Sequence, residues 1–294
     1  MFTTSHVQLD DVALHFGAAG PEDGTPVLFL HGWPDLWFTW EGQMRELAER
    51  GYRVIAPDQR GYGGSSKPTH VRDYRLEAVG TDMVQFIARL SREPVHVVGH
   101  DWGGMVAWWL AIHRPELVRS LTVTNAPHPM VFLKSLLNPG QLMRSWYMFV
   151  FQVPGLAERL FEANDSEALI KVLARGAHLT DPALLARYRE QWRTPGAVRM
   201  PLYWYRAMFR YMFSADPAPL RRPVSVPTLL LWGDRDPVFA PSAAQRSIER
   251  CPEGQLVRFD TEHWPYHEQP ERFSCALREW LARHAERAPR HVTG

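Results

Sequence analysis

One stretch concentrates the chemistry of this chain: Val95-His96-Val97-Val98-Gly99-His100-Asp101-Trp102-Gly103-Gly104, which runs straight into a helical segment over residues 105–113. A strand that turns abruptly into a helix strains the residue at the turn, so its neighbours must be small, as Gly99, Gly103 and Gly104 are. Such a turn lifts one side chain above the sheet. In serine esterases and lipases that side chain is the Ser of G-x-S-x-G; here it is Asp101, and the chain has no G-x-S-x-G. Asp is also a good helix N-cap, so a purely structural role stands beside the catalytic one. As a nucleophile, a carboxylate oxygen attacks sp³ carbon and leaves an alkyl ester whose carbonyl carbon can then be hydrolysed. The leaving group must depart from carbon, which means an epoxide oxygen or a halide, and the second step needs a base that activates water. His263, in Thr261-Glu262-His263-Trp264, follows the last expected strand, where such a base is reachable. The acid that orients it is Asp234 or Asp236, just after a strand ending at Trp232; a placement after residues 120–124 offers only uncharged Asn125.

These residues need a sheet to hold them. Short β-branched runs at residues 27–30, 53–56, 95–98 and 120–124 alternate with helical stretches, the pattern of a sheet built by crossover connections. They are apolar on both faces, as strands between two helix layers are. Residues 7–9 and 12–16 alternate apolar and polar, which predicts an antiparallel hairpin at the sheet edge. From about 128 to 220 the pattern turns all-helical: Asp165-Ser166 opens one helix that stops before Gly176, and Asp181-Pro182 opens another. Prolines 127, 129, 217, 219, 223 and 227 punctuate both ends. Strand signals resume at 228–232 and 256–259, followed by an amphipathic helix over 270–285 and a frayed tail over 288–294. The expected organisation is therefore an α/β core of residues 1–127 and 221–294 with a helical cap of 128–220 inserted into it. In 294 residues this is one catalytic unit rather than two.

Composition excludes several classes. A net charge of +1 without long runs of like charge leaves no electrostatic footprint for nucleic acid or anionic lipid. No apolar run approaches the ~20 residues needed to span a bilayer, and the N-terminal stretch lacks the build of a secretory signal, so a cytoplasmic protein is expected. Two cysteines, Cys251 and Cys275, are read as thiols in a reducing compartment.

Five stretches, in order, resemble the epoxide hydrolases of the α/β-hydrolase fold: His31-Gly32-Trp33-Pro34-Asp35, Asp58-Gln59-Arg60-Gly61-Tyr62-Gly63-Gly64-Ser65-Ser66, the Gly99 to Gly104 turn, the segment from Gly233 to Val238, and His263-Trp264. The resemblance covers nearly the whole chain and implies a mostly parallel sheet flanked by helices. By the family pattern Asp101 is the nucleophile, His263 the base and Asp236 its acid, with Asp234 set aside. His31, Gly32 and Pro34 belong to the motif that supplies the backbone N–H of Trp33, pairing with that of Trp102 as an oxyanion hole. A cis Trp33–Pro34 peptide is implied as well. No cofactor or metal is implied, and the partner is a small lipophilic epoxide, converted to a vicinal diol.

Family comparison also places two epoxide-binding tyrosines at Tyr147 and Tyr205. A phenol with pKa ~10 stays protonated at neutral pH and suits donation to an opening epoxide. On a helix, Tyr205 has Pro201, Leu202, Met208, Phe209 and Met212 as neighbours, whereas Tyr203 has Arg199, Arg206 and Arg210, so Tyr205 is expected inward and Tyr203 in water. A dehalogenase is the enzymatic alternative. Trp102 is shared with haloalkane dehalogenases, but the paired tyrosines and Trp33 point to epoxides, and Trp102 stands where fluoroacetate dehalogenases typically place Arg. A non-catalytic ligand-binding protein on a hydrolase scaffold is the alternative outside enzymes. His96/His100 and His263/His267 share a four-residue spacing, but a turn interrupts the first pair and Pro265 the second, so neither is a helical metal pair. Relatives usually carry Gly before the catalytic His; Glu262 stands there, and its carboxylate is expected to alter the loop or the pKa of His263.

Overall fold

The computed structural model describes residues 1–212, 214 and 216–285. Its sheet has eight strands: β1 (Thr3–Gln8), β2 (Ala13–Ala19), β3 (Pro26–Leu30), β4 (Arg53–Pro57), β5 (Val95–His100), β6 (Val118–Thr124), β7 (Thr228–Gly233) and β8 (Gly254–Phe259). They lie in the order β1-β2-β4-β3-β5-β6-β7-β8. The β1–β2 hairpin is antiparallel, with Thr4 opposite Gly17, and β2 runs antiparallel to β4; from β4 to β8 every pairing is parallel. Parallel strands need both faces covered, and β5, near the middle, is buried along its entire length.

The register brings the useful ends together. Leu30 pairs with Gly99, His100 with Thr124, and Gly233 with Phe259, so the segments following β3, β5, β6, β7 and β8 all emerge at the carboxyl edge, where open α/β sheets bind ligands.

Between β6 and β7 the described residues form helices and no strand, including Pro129–Ser135, Trp146–Val150, Glu167–Gly176, Pro182–Trp192 and Arg199–Tyr211. Asp181 caps its helix as expected, accepting from Ala183 N at 2.9 Å, with Pro182 in the first turn. The Asp165-Ser166 start differs. Both residues are left-handed, neither serves as a side-chain cap, and Asp165 instead pairs with Arg193, while the helix runs through Gly176. The last helix among the described residues is Pro270–Arg283. The tail expected over 288–294 lies outside the described residues.

Trp40, Trp108, Trp204 and Trp232 are fully buried, which puts much of the tryptophan excess into packing. Tyr203 departs from expectation: it is buried, not in water. The turn Val71–Tyr74 lies on its helix, placing Tyr74 edge-on to its ring at 5.6 Å, and Arg199 and Arg206 lie over the ring instead of drawing it outward.

Candidate active site

Asp101 begins the helix Asp101–His113 with φ +49°, a left-handed conformation uncommon for residues other than glycine. The N-cap position belongs to His100, so Asp101 is not the helix cap. Two glycines make the turn possible. A methyl group at Gly103 would overlap the Leu30 carbonyl, and one at Gly32 would overlap the Asp101 side chain. With those approaches open, the Trp33 N–H donates to Asp101 Oδ1 at 2.9 Å. The Trp33–Pro34 peptide is cis.

The loop after β8 brings His263 Nε2 within 3.7 Å of Asp101 Oδ2. On its other side, His263 Nδ1 lies 2.8 Å from Asp236 Oδ2. An acceptor-only carboxylate there fixes the tautomer with the proton on Nδ1 and leaves Nε2 facing Asp101. Asp236 is itself held: its Oδ1 accepts from Val238 N at 2.6 Å and Phe239 N at 3.2 Å, and its Oδ2 from Asn125 Nδ2 at 2.6 Å. Asp234 stands apart, paired with Arg258 at 2.5 Å. Asn125, set aside on sequence for want of a charge, is thus the support of the Asp236 carboxylate, and its Oδ1 accepts from Gly233 N at 3.0 Å. Its position just past β6, at the carboxyl edge beside β7, was the available signal.

Burial on its own would lower the pKa of His263. The Asp236 charge, with hydrogen bonding and charge from Asp101, outweighs it and raises the imidazole above its ordinary value. Glu262 bears elsewhere: its N–H donates to Glu268, and its charge helps burial raise that carboxyl, while the largest influences on His263 are burial, Asp236 and Asp101.

Behind this row lies a buried carboxylate. Asp35 accepts from Tyr188 Oη at 2.9 Å and from Trp264 Nε1 at 2.9 Å, tying the Pro182–Trp192 helix to the loop that carries His263. His31, also fully buried, donates from Nδ1 to the Gly32 carbonyl at 2.9 Å and accepts from Gln59 N at 3.2 Å, the pattern of a neutral ring. Burial lowers its pKa accordingly, against the nearby charge of Asp58.

Facing Asp101 across a cavity of about 30 Å³ are Tyr147 and Tyr205, with Trp102, Met105, Phe132 and Phe239 among the walls. The two phenol rings are 6.0 Å apart at 78°, and Tyr205 also packs edge-on to Trp102 at 5.1 Å. Trp146, the residue before Tyr147, is exposed. Burial and the Asp101 charge push Tyr147 well above the usual phenol value; for Tyr205 burial, Tyr147 and Asp101 do the same.

Residues 25–270 match the family model described as alpha/beta hydrolase fold. The chain is 38% identical over 284 residues to AB hydrolase superfamily protein YfhM of Bacillus subtilis (strain 168), covering 94% of this chain and 96% of that one. It is 35% identical to Epoxide hydrolase 4 of Homo sapiens over 285 residues, covering 92% of this chain and 76% of that protein. The chain belongs to the epoxide hydrolase family of α/β-hydrolases. Among solved structures, this family member superposes on a Bacillus megaterium epoxide hydrolase in complex with an inhibitor with a TM-score of 0.84, at 28% identity over 95% of this chain and all of that one. An epoxide hydrolase from hot-environment metagenomes gives a TM-score of 0.86 at 30% identity. Among the described residues no helix is long and apolar enough to cross a membrane.

Proposed function

We propose that the protein is an epoxide hydrolase that converts a small lipophilic epoxide and water to a vicinal diol through an ester on Asp101. The observation that carries this reading is a carboxylate with one oxygen tied to a backbone N–H, the other toward a buried His–Asp pair, and two phenols across the cavity. With Oδ1 engaged by Trp33, Oδ2 is the oxygen free to attack an epoxide carbon. The ring C–O bond breaks as the new ester bond forms, and the departing oxygen takes its proton from Tyr147 or Tyr205. In the second step His263 takes a proton from water, whose oxygen adds to the Asp101 carbonyl carbon. The negative charge gathers on Oδ1, against the N–H groups of Trp33 and, in this proposal, Trp102. Collapse breaks the bond between that carbon and the former Oδ2, His263 returns its proton to that oxygen, and the diol leaves carrying an oxygen from Asp101. The proton that came in with water on the new Asp101 carboxyl is lost to solvent and the tyrosine recovers its own, which restores the carboxylate and both phenols.

The electrostatics supply an order to the two steps. Asp101 helps to raise His263 only while it is an anion; once esterified, that contribution vanishes and the imidazole falls back toward the range of a useful base. His263 becomes a better base at the stage that needs one. Residues 128–220 act in this scheme as a cap that delivers the two proton donors, closing over the core formed by 1–127 and 221–294. A cytoplasmic location belongs to the same proposal, supported by the free thiols of Cys251 and Cys275.

Incubation with a panel of epoxides, followed by chiral chromatography of the products, tests the assignment. Diol is expected; release of halide from haloalkanes with no diol from any epoxide would move the assignment to a dehalogenase, and binding without turnover to a ligand-binding protein.

A further inference from the structure

The cavity above Asp101 is narrowed on one side and continues on the other. Toward Trp33 stands an aromatic cluster, with Phe151 at 5.3 Å, Phe161 at 5.4 Å and Tyr205 at 6.1 Å from the indole; the smaller cavity behind it, lined by Trp33, Phe161, Leu169 and Trp192, shares no wall with the one above Asp101. In the opposite direction its walls of Trp102, Met105, Phe132 and Met208 also line a second, larger cavity of about 120 Å³. That second space runs from buried Trp102 and Phe132, past Leu133 and the half-buried Trp109, to exposed Arg75 and Glu77 at its outer end.

We infer that this second cavity receives a single extended apolar arm of the substrate, so that the enzyme prefers epoxides with one long lipophilic substituent on one ring carbon. The inference rests on the epoxide hydrolase reading and adds the substrate class to it. The geometry is one-sided: an epoxide between Asp101 and the tyrosines has room for length beyond Met105 and Met208, while the other ring carbon faces the packed Trp33 cluster. Of two substituents, one on each carbon, only one has contiguous open length ahead of it; the other meets the Trp33 cluster. An arm in an apolar channel is held alike in the ground state and in the transition state, so its contribution appears in KM rather than in kcat. Burial of a methylene supports up to about a fourfold gain in kcat/KM, and the gain continues only while added carbon remains inside the walls.

The test uses the whole protein with terminal 1,2-epoxyalkanes of four, eight and twelve carbons and with internal trans epoxides of the same carbon counts. We expect kcat/KM to rise tenfold or more from four to twelve carbons, mainly through KM, and the internal isomers to fall behind their terminal counterparts by a similar factor. Leu133→Trp places bulk in the second cavity and is expected to cut the ratio of twelve-carbon to four-carbon kcat/KM at least tenfold; Leu133→Phe makes the same test if the Trp variant does not fold. A flat length series, equal use of internal epoxides, or an unchanged ratio in a folded Leu133 variant overturns the inference while leaving the proposed activity intact. Failure to form diol from any epoxide overturns the activity itself.

Discussion

The two halves of the site are held in different ways. Asp101, Asp236 and His263 stand on short segments leaving the carboxyl edge of a parallel sheet, and each is fixed by hydrogen bonds: Trp33 N on Asp101, Val238 N and Asn125 on Asp236, and Asp236 on His263. Tyr147 and Tyr205 stand on helices inserted between β6 and β7 and are held by ring packing, against Phe151 at 5.4 Å and 4.9 Å respectively. The surfaces differ too. Among the described residues, every exposed large apolar side chain except Met1 falls between Leu137 and Leu160, in the inserted helices and the turns between them. Hydrogen bonds at a sheet edge fix atoms to tenths of an ångström, whereas aromatic contacts tolerate rotation and sliding. The fixed half suits bond making at one carbon; the adjustable half suits substrates of varied shape. Changes on the sheet side should therefore abolish steps, and changes on the helical side should scale them.

Asp101→Ala gives the largest effect. In the proposed mechanism it removes the nucleophile, so diol formation is expected to fall roughly 10⁴-fold or more, to the limit of detection. Chromatographic diol assay with circular dichroism as the fold control measures it. A residual rate within tenfold of the parent protein would remove Asp101 from the chemistry. In a single turnover of the parent protein in ¹⁸O-water, the label is expected in Asp101 and not in the diol, because the diol oxygen comes from the carboxylate.

His263→Gln separates the two steps. The ester should form and persist, since Asp101 and the tyrosines are untouched while the water-activating base is gone. Intact mass is expected to rise by the mass of the epoxide, with steady-state turnover down roughly 10³- to 10⁴-fold. Turnover without an adduct would mean that another group acts as base.

On the helical side the losses are expected to be graded. Tyr205→Phe or Tyr147→Phe alone leaves one donor and is expected to slow adduct formation roughly 10- to 100-fold, and the double variant more than either, because the alkoxide then leaves without an acid. Stopped-flow tryptophan fluorescence follows the step, aided by Trp102 beside Tyr205. Equal and complete loss in each single variant would make the pair a unit and erase the contrast with the sheet side.

Legibility followed the same division. The strands announced themselves as apolar runs, and the turn at Asp101 by its glycines, because backbone geometry restricts residue type wherever the chain turns sharply or packs closely. The inserted helices were readable as helices, but their faces were not. Tyr203, flanked by arginines on its own helix, is covered by Tyr74 from a turn more than a hundred residues away, and no periodicity within one helix reports such a cover. Spacing left Asp234 and Asp236 equivalent; the difference is that Asp236 meets two backbone N–H groups and Asn125, while Asp234 meets Arg258. Asn125 is set aside on sequence for a related reason: its place past β6 is readable, but a neutral amide carries no mark that its part is to hold a carboxylate.

Asn125 also supplies the finest test of the contrast, since it belongs to the sheet side without touching substrate. Asn125→Ala removes the amide that donates to Asp236 Oδ2, the same oxygen that faces His263 Nδ1. The carboxylate keeps its Val238 and Phe239 donors, so the fold and the Asp101 step should survive, with turnover reduced roughly tenfold. The direction of the pH change follows from charge. Losing a donor leaves more of the negative charge on Oδ2 for His263, which raises the imidazole further and strengthens what Asp236 already does. Because water activation needs the neutral ring, the acid limb of kcat should move to higher pH in Asn125→Ala. Asp236→Asn should move it the other way, since it removes the charge that raises His263. Opposite displacements of the two limbs, with adduct formation less affected than hydrolysis, would tie the sheet-edge network to His263; parallel displacements would mean that both substitutions act by loosening the loop.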